Sequence, residues 1–179
     1  IVDNRARTTE DEQVKKWLNS QLGMLFWKNF SKPEKAEVYF RRVQKTAGQD
    51  EVVAEFYMEY YAKRGNWRRL EQLLGEQGLS ELEIKWQLAE LAEEQGKKDK
   101  ALTFWQAVYK SDPSDLSIYE RLRSLYSDLS KWHSLVELYK TRLSAMGKDD
   151  SKAAVALYLE MISIFKEHIK SDTKVISVW

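Results

Sequence analysis

The feature that most constrains this 179-residue chain is one stretch, residues 94–113, which reads EQGKKDKALTFWQAVYKSDP. Gly96 is typical of a helix end. Four apolar residues then follow at the i, i+3, i+4, i+7 spacing of an amphipathic helix: Ala101, Phe104, Trp105 and Val108. Asp112-Pro113 offers an N-cap and a favoured first helical residue, so we expect the next helix to begin at Pro113. A helix-turn-helix unit that leads directly into another helix indicates a repeat array.

Two positions recur through the chain in support of such an array. The first is held, at separations of 34, 31, 34 and 40 residues, by Ala36, Leu70, Ala101, Leu135 and Val175. Four residues further on stand Phe40, Leu74, Trp105, Tyr139 and Trp179. Residues 174–179 match residues 100–105 in character, so we expect the chain to stop inside a helix and to be a fragment of a longer array.

Between these positions the pattern predicts an all-α fold of about nine helices, since prolines and glycines are few and strand-like alternation is rare. Capping boxes at residues 9–12 and 80–83 predict two helix starts, with Thr9 and Ser80 as N-caps. We expect five units in a single domain of residues 1–179: approximately 9–48, 49–79, 80–112, 113–147 and a truncated 148–179. The first helix is expected to bury Val14, Trp17, Leu18, Leu22, Leu25 and Phe26.

The period near 34, with two helices in each unit, resembles the tetratricopeptide repeat family. In the third unit the resemblance is carried by Leu88-Ala89, Ala92, Ala101, Trp105 and Asp112-Pro113, and in the second by Tyr57-Met58, Tyr61, Leu70 and Leu74. Arg123 departs from the pattern, because the family prefers a small residue there. The resemblance implies a right-handed superhelix (an α-solenoid) of antiparallel helix pairs that acts as a protein-interaction scaffold. The sequence is also similar, more loosely, to the long tetratricopeptide repeat arrays of certain bacterial proteins.

In this family the first helices line a concave groove, and the resemblance assigns positions of this sequence to it. The predicted partner-binding residues are Glu55, Glu59, Glu83, Trp86, Glu90, Glu93 and Glu120; Val52, Ser117, Ser124 and Ser127 share the face. The lysines and asparagines of the family's carboxylate-clamp members are missing. We therefore expect a partner protein or peptide rich in Lys or Arg, with Trp86 as an apolar or cation–π anchor. The alternative is that the glutamates only keep the groove solvated.

Other functions have less support in the sequence. His133 and His168 lack metal-ligand spacing, cysteine is absent, and there is no phosphate-binding or nucleophile motif, so we expect no enzyme, cofactor or metal site. No apolar run is long enough to span a membrane. The compartment stays open between cytoplasm, which is favoured, and periplasm.

Two alternatives to the groove stay open. Nucleic acid could bind to outward basic doublets; because acids alternate with them and the net charge is only +1, we favour a protein partner and keep nucleic acid as the runner-up. The doublets are Lys15-Lys16, Arg41-Arg42, Arg68-Arg69 and Lys97-Lys98. The chain could also serve only as a spacer, or self-associate through its last helix pair, with further repeats of its own parent chain as the partner.

Overall fold

The computed structural model describes residues 4, 11–47, 50–147 and 150–170. Within these residues the chain forms nine α-helices and no strand, which confirms the predicted all-α class. The helices are α1 (Glu12–Met24), α2 (Pro33–Ala47), α3 (Glu51–Arg64), α4 (Trp67–Glu76), α5 (Glu81–Glu94), α6 (Lys98–Ser111), α7 (Leu116–Asp128), α8 (Trp132–Ala145) and α9 (Ser151–Ile164). A π-helical turn extends α1 over Leu25–Asn29 and α9 over Phe165–Ile169.

The helices fall into two compact units, Ile1–Ser80 and Glu81–Trp179. The first unit contains the pairs α1/α2 and α3/α4, and the second contains α5/α6, α7/α8 and α9. Each unit is therefore built of consecutive helix pairs, as a helical repeat is. One continuous array across residues 1–179, with the five expected units, stays a prediction.

The turn after each first helix has the same backbone conformation. Its left-handed residue, with φ between +50° and +67°, is Ser31, Gly65, Gly96, Ser130 or Lys170. These five residues are separated by 34, 31, 34 and 40 residues, the spacing that the apolar positions predict. In three of the turns the next amide donates to the carbonyl five residues before it, as from Lys97 to Ala92 at 2.8 Å. This is the Schellman arrangement that ends a helix and reverses the chain.

The recurring apolar positions of the second helices form the core of both units. All eight that the structure describes are buried, with at most 3% of their surface exposed: Ala36, Phe40, Leu70, Leu74, Ala101, Trp105, Leu135 and Tyr139. Val175 and Trp179 lie outside the described residues. The first position holds Ala or Leu and the second holds Phe, Leu, Trp or Tyr, so the repeat keeps burial and register while side-chain volume varies.

Ion pairs between helices give their relative directions. In the first unit Arg64, at the end of α3, contacts Glu34, at the start of α2, at 3.0 Å. In the second unit Lys98 of α6 contacts Asp128 at the end of α7 at 2.7 Å. Consecutive helices are therefore antiparallel. Lys131, directly before α8, also reaches Asp99 in the first turn of α6 at 3.1 Å, so these two second helices start side by side.

Two predicted helix starts are wrong. α7 begins at Leu116, not Pro113, because Asp115 is its N-cap and accepts hydrogen bonds from the amides of Ser117 and Ile118 at 2.7 and 3.3 Å. Asp112 instead closes the preceding turn by accepting from the amide of Ser114 at 3.0 Å. At α1 the N-cap is Asp11, whose carboxylate accepts from two amides of the first turn. Thr9 lies outside the described residues.

The buried face of α1 also differs from the prediction. Val14, Trp17 and Leu25 are 44%, 60% and 40% exposed, whereas Leu22 is buried as predicted. Asn19 and Gly23, which the pattern did not include, are buried beside it. A side-chain Cβ at Gly23 would lie 2.7–2.9 Å from three ring carbons of Phe40. The missing side chain thus lets the Phe40 ring reach the α1 backbone, and this contact sets which face of α1 turns inward.

Candidate functional site

The predicted groove residues of the first unit lie on α3 and are paired within the chain. Glu55 forms an ion pair with Lys28 at 3.1 Å. Glu59 accepts a hydrogen bond from the indole Nε1 of Trp27 at 3.0 Å and one from Lys63. The Lys63 hydrogen bond is the main reason why the pKa of Glu59 is lowered. Both carboxylates are therefore already paired with a lysine of this chain.

In the second unit, α5 and α7 bring together the predicted residues Glu93 and Glu120. Glu93 pairs with Arg121, and Glu120 accepts from Arg123 at 3.2 Å. The two first helices are thus joined by an acid–base contact that spans 28 residues. Glu83 and Glu90 lie on α5, where Glu83 is exposed and Glu90 half-buried.

Trp86 is less exposed than the sequence suggests. Its ring meets the buried Trp105 edge-on, with centroids 5.0 Å apart. The guanidinium of Arg121 lies over the Trp105 ring at 4.8 Å. Trp86 is half-buried and packs against Trp105, so only part of its ring is open to a partner.

Two adjoining cavities of about 430 and 450 Å³ follow the first helices of the second unit. Both are lined by Glu120, Ser124 and Asp128; Glu93 lines the first, and Ser127 and Glu160 line the second. Four residues of the predicted groove face, Glu93, Glu120, Ser124 and Ser127, therefore border one concave surface. Together these two cavities form the α7 groove.

A polar network that the sequence did not predict forms one wall of the α7 groove. Arg123 donates to both oxygens of Glu160 at 2.9 Å and to the hydroxyl of Tyr139 at 3.1 Å. The Tyr139 hydroxyl in turn donates to Glu160 at 2.6 Å. These contacts raise the pKa of Arg123, and burial raises the pKa of Tyr139 to about 12. They explain a large residue where the tetratricopeptide pattern prefers a small one.

The basic doublets are largely engaged by the chain itself. Lys15, Lys16, Arg41 and Lys98 form ion pairs with acids at 2.6–3.1 Å, and Arg42 lies over the Tyr39 ring at 5.3 Å. A phosphate would have to compete with these partners. No observation favours nucleic-acid binding over the groove.

The part of the chain that the structure describes holds no cluster of three His, Asp or Glu side chains arranged for a metal ion. His168 stacks on Trp132 with ring centroids 3.8 Å apart, and His133 is exposed on α8. Among the described helices, none combines the length and apolar character needed to cross a membrane.

No family model and no curated protein matches the chain. Six chains of solved structures match, one of which is described as "MamA RS-1 ArsTM double mutant". It is 14% identical, the match covers 92% of each chain, and the TM-score is 0.43. A likeness at this level decides neither the fold nor the function. The helical repeat rests on the turns, buried positions and ion pairs of this chain.

Proposed function

We propose that this protein is an interaction scaffold that binds a basic segment of a partner protein along its first helices, with the α7 groove as the main contact. The proposal is carried by one observation: Glu93, Glu120, Ser124 and Ser127, which the family resemblance assigns to the groove face, border one concave surface of the second unit. We propose further contacts with the partner in each unit, at Glu55, Glu59, Glu83, Trp86 and Glu90.

Charge supports a basic partner, although less strongly than the sequence alone suggests. The α7 groove is lined by four carboxylates (Glu93, Glu120, Asp128 and Glu160) and three cations (Lys98, Arg121 and Arg123). Each carboxylate can accept several hydrogen bonds. A partner Lys or Arg can therefore join an existing pair at Glu120, whose side chain is 58% exposed, without displacing Arg123. The rigid helices hold these acceptors in place, which lowers the ordering cost of binding.

A matched pair of charge reversals tests the groove. Glu120 on α7 and Glu137 on α8 are both exposed and both pair with a cation three residues on, Arg123 and Lys140. Glu137 lies on a second helix and serves as the control. The probe is an arrayed library of short peptides with graded numbers of Lys and Arg, on which the wild type is expected to select basic sequences.

Glu120→Lys is expected to weaken binding of the selected peptide about tenfold, because reversing a solvent-screened charge near a partner cation costs about 1–2 kcal/mol. Glu137→Lys is expected to leave it within about twofold. Equal losses in both variants, or selection of acidic peptides, would refute the groove. If an RNA oligonucleotide binds with steep salt dependence and no peptide binds, the outward basic residues become the site instead.

A further inference from the structure

A cavity of about 770 Å³ lies in the first unit between α2, α3 and α4. Its volume falls within the range of about 300–1,000 Å³ that is usual for ligand pockets. Val53, Ala54, the ring of Tyr57 and Leu73 form an apolar wall, and Val53 and Tyr57 belong to the core of the unit. No residue proposed above as a partner contact lines this cavity.

The second unit contains an equivalent set of three helices, α6, α7 and α8, in the same register. Three pairs of landmarks share one separation of 65 residues: the turn residues Gly65 and Ser130, the N-caps Asp50 and Asp115, and the first residues of α4 and α8, Trp67 and Trp132. Each residue that lines the cavity can therefore be matched, without a gap, to one residue of the second unit.

The position matched to Ala54 holds a large aromatic ring in the second unit. Tyr119 stands there and is 4% exposed. The guanidinium of Arg142 lies over the Tyr119 ring at 5.8 Å, and the residue matched to Arg142 is Gln77. Ala54 and Gln77 both line the cavity. The first unit therefore lacks the ring and the cation that the second unit supplies from its own chain.

The edge of the cavity is acidic. Asp50, Glu51 and Glu76 line it, and none of its described lining residues is a lysine or an arginine. Asp50 contacts Lys16 at 3.1 Å, whereas Glu51 and Glu76 are exposed. Arg69 lines a smaller cavity of about 90 Å³ that adjoins this one. The carboxylates attract a cation into the part of the unit where the matched arginine is missing.

We propose that this cavity binds a partner peptide through an aromatic side chain followed by Arg or Lys, with the ring against Ala54 and the cation at Glu51 and Glu76. The pair takes the place that Tyr119 and Arg142 fill in the second unit. The apolar wall accepts the ring and the acidic edge accepts the cation. This site shares no residue with the α7 groove, so either proposal can fail while the other stands.

An NMR titration of the ¹⁵N-labelled full chain tests the site residue by residue. The probe is the capped peptide Ala-Tyr-Arg-Ala, and Ala-Ala-Arg-Ala and Ala-Tyr-Glu-Ala are its controls. We expect the probe to shift the amides of Ala54, Tyr57 and Leu73 with a Kd of about 1 mM or lower. Each control peptide is expected to bind there at least about fivefold more weakly, because it lacks the ring or the cation. Equal binding of all three peptides, or shifts confined to α5 and α7, would overturn the proposal.

Two variants act on the two parts of the site. Ala54→Tyr puts the second unit's residue into the cavity and is expected to weaken binding of the probe at least about tenfold, because the ring fills the space. Glu51→Lys leaves the cavity open and is expected to weaken binding about fivefold. Glu81→Lys is the matched control, since Glu81 is also exposed and also begins a helix, and it is expected to stay within about twofold of the wild type.

Circular dichroism shows whether Ala54→Tyr is folded. Wild-type affinity in the folded variant would overturn the proposal. If the variant does not fold, the comparison of Glu51→Lys with Glu81→Lys decides alone, and equal affinities of these two proteins would overturn it.

Discussion

Gly96→Ala tests the left-handed turn on which the repeat depends. Gly96 has φ of +65°, and a Cβ built there meets no atom within 4 Å. The substitution therefore changes backbone strain without a steric clash. An L-residue pays about 1–2 kcal/mol in this conformation, and the lower entropy of the unfolded chain returns about 0.4–1 kcal/mol. We expect a net loss of about 1 kcal/mol.

The measurement is thermal unfolding followed by circular dichroism, in which about 1 kcal/mol corresponds to about 2–4 °C for a chain of this size. Gly75→Ala is the matched control, because Gly75 is exposed within the helical backbone of α4. There the same chemical change is expected to stabilise by up to about 1 kcal/mol. The reasoning is refuted if Gly96→Ala is neutral or stabilising like the control.

Three further substitutions have defined outcomes. Gly23→Ala is expected to destabilise by about 1–3 kcal/mol in urea unfolding, because its Cβ would overlap the Phe40 ring; wild-type stability would contradict this packing. Asp115→Ala removes the α7 N-cap and is expected to cost about 1 kcal/mol in the same assay, while an unchanged midpoint would argue against the cap. Tyr139 has a pKa raised to about 12 by burial, so its contribution to stability is full below pH 10 and is lost as the pH rises to 12. Tyr139→Phe should abolish that part of the pH dependence, and an identical profile would contradict it.

The turns and core positions could be predicted because they depend on local rules. A residue that ends a helix and two apolar residues at fixed distances beyond it are visible in one sequence. The start of α7 could not be chosen in the same way. Asp112 and Asp115 are both good caps, and only the packing of Ile118 and Tyr119 into the core selects the second.

The face of α1 was mispredicted for a different reason. Apolar periodicity gives weight to large side chains such as Trp17, but the contact is made by the smallest residue, Gly23, against Phe40. A close approach of backbone to ring leaves little signal in a pattern of hydrophobic residues. The π-helical turn after α1 shifts the register further, because it inserts a residue that regular helical spacing does not include.

The net charge of the groove could not be predicted from the sequence of any one helix. Its glutamates are spaced correctly along α5 and α7, but the cations that pair with them stand on other helices or further along the same one. Arg121 reaches Glu93 across 28 residues, and Arg123 reaches Glu160 across 37. Contacts between residues about one repeat length apart form only when neighbouring helix pairs stack. The sequence therefore predicts where each acid lies, but not which cation neutralises it.

The turn residues show why this repeat is carried by backbone geometry more than by residue identity. Glycine occupies the left-handed position in two of the five turns, whereas Ser31, Ser130 and Lys170 adopt it against their own preference. A strain of about 1 kcal/mol at each persists because the helices on either side fix the path of the chain. The same logic applies to the core, where Phe40, Trp105 and Tyr139 fill one position. The fold therefore requires an apolar side chain at a fixed distance from each turn, and the identity of that side chain can vary.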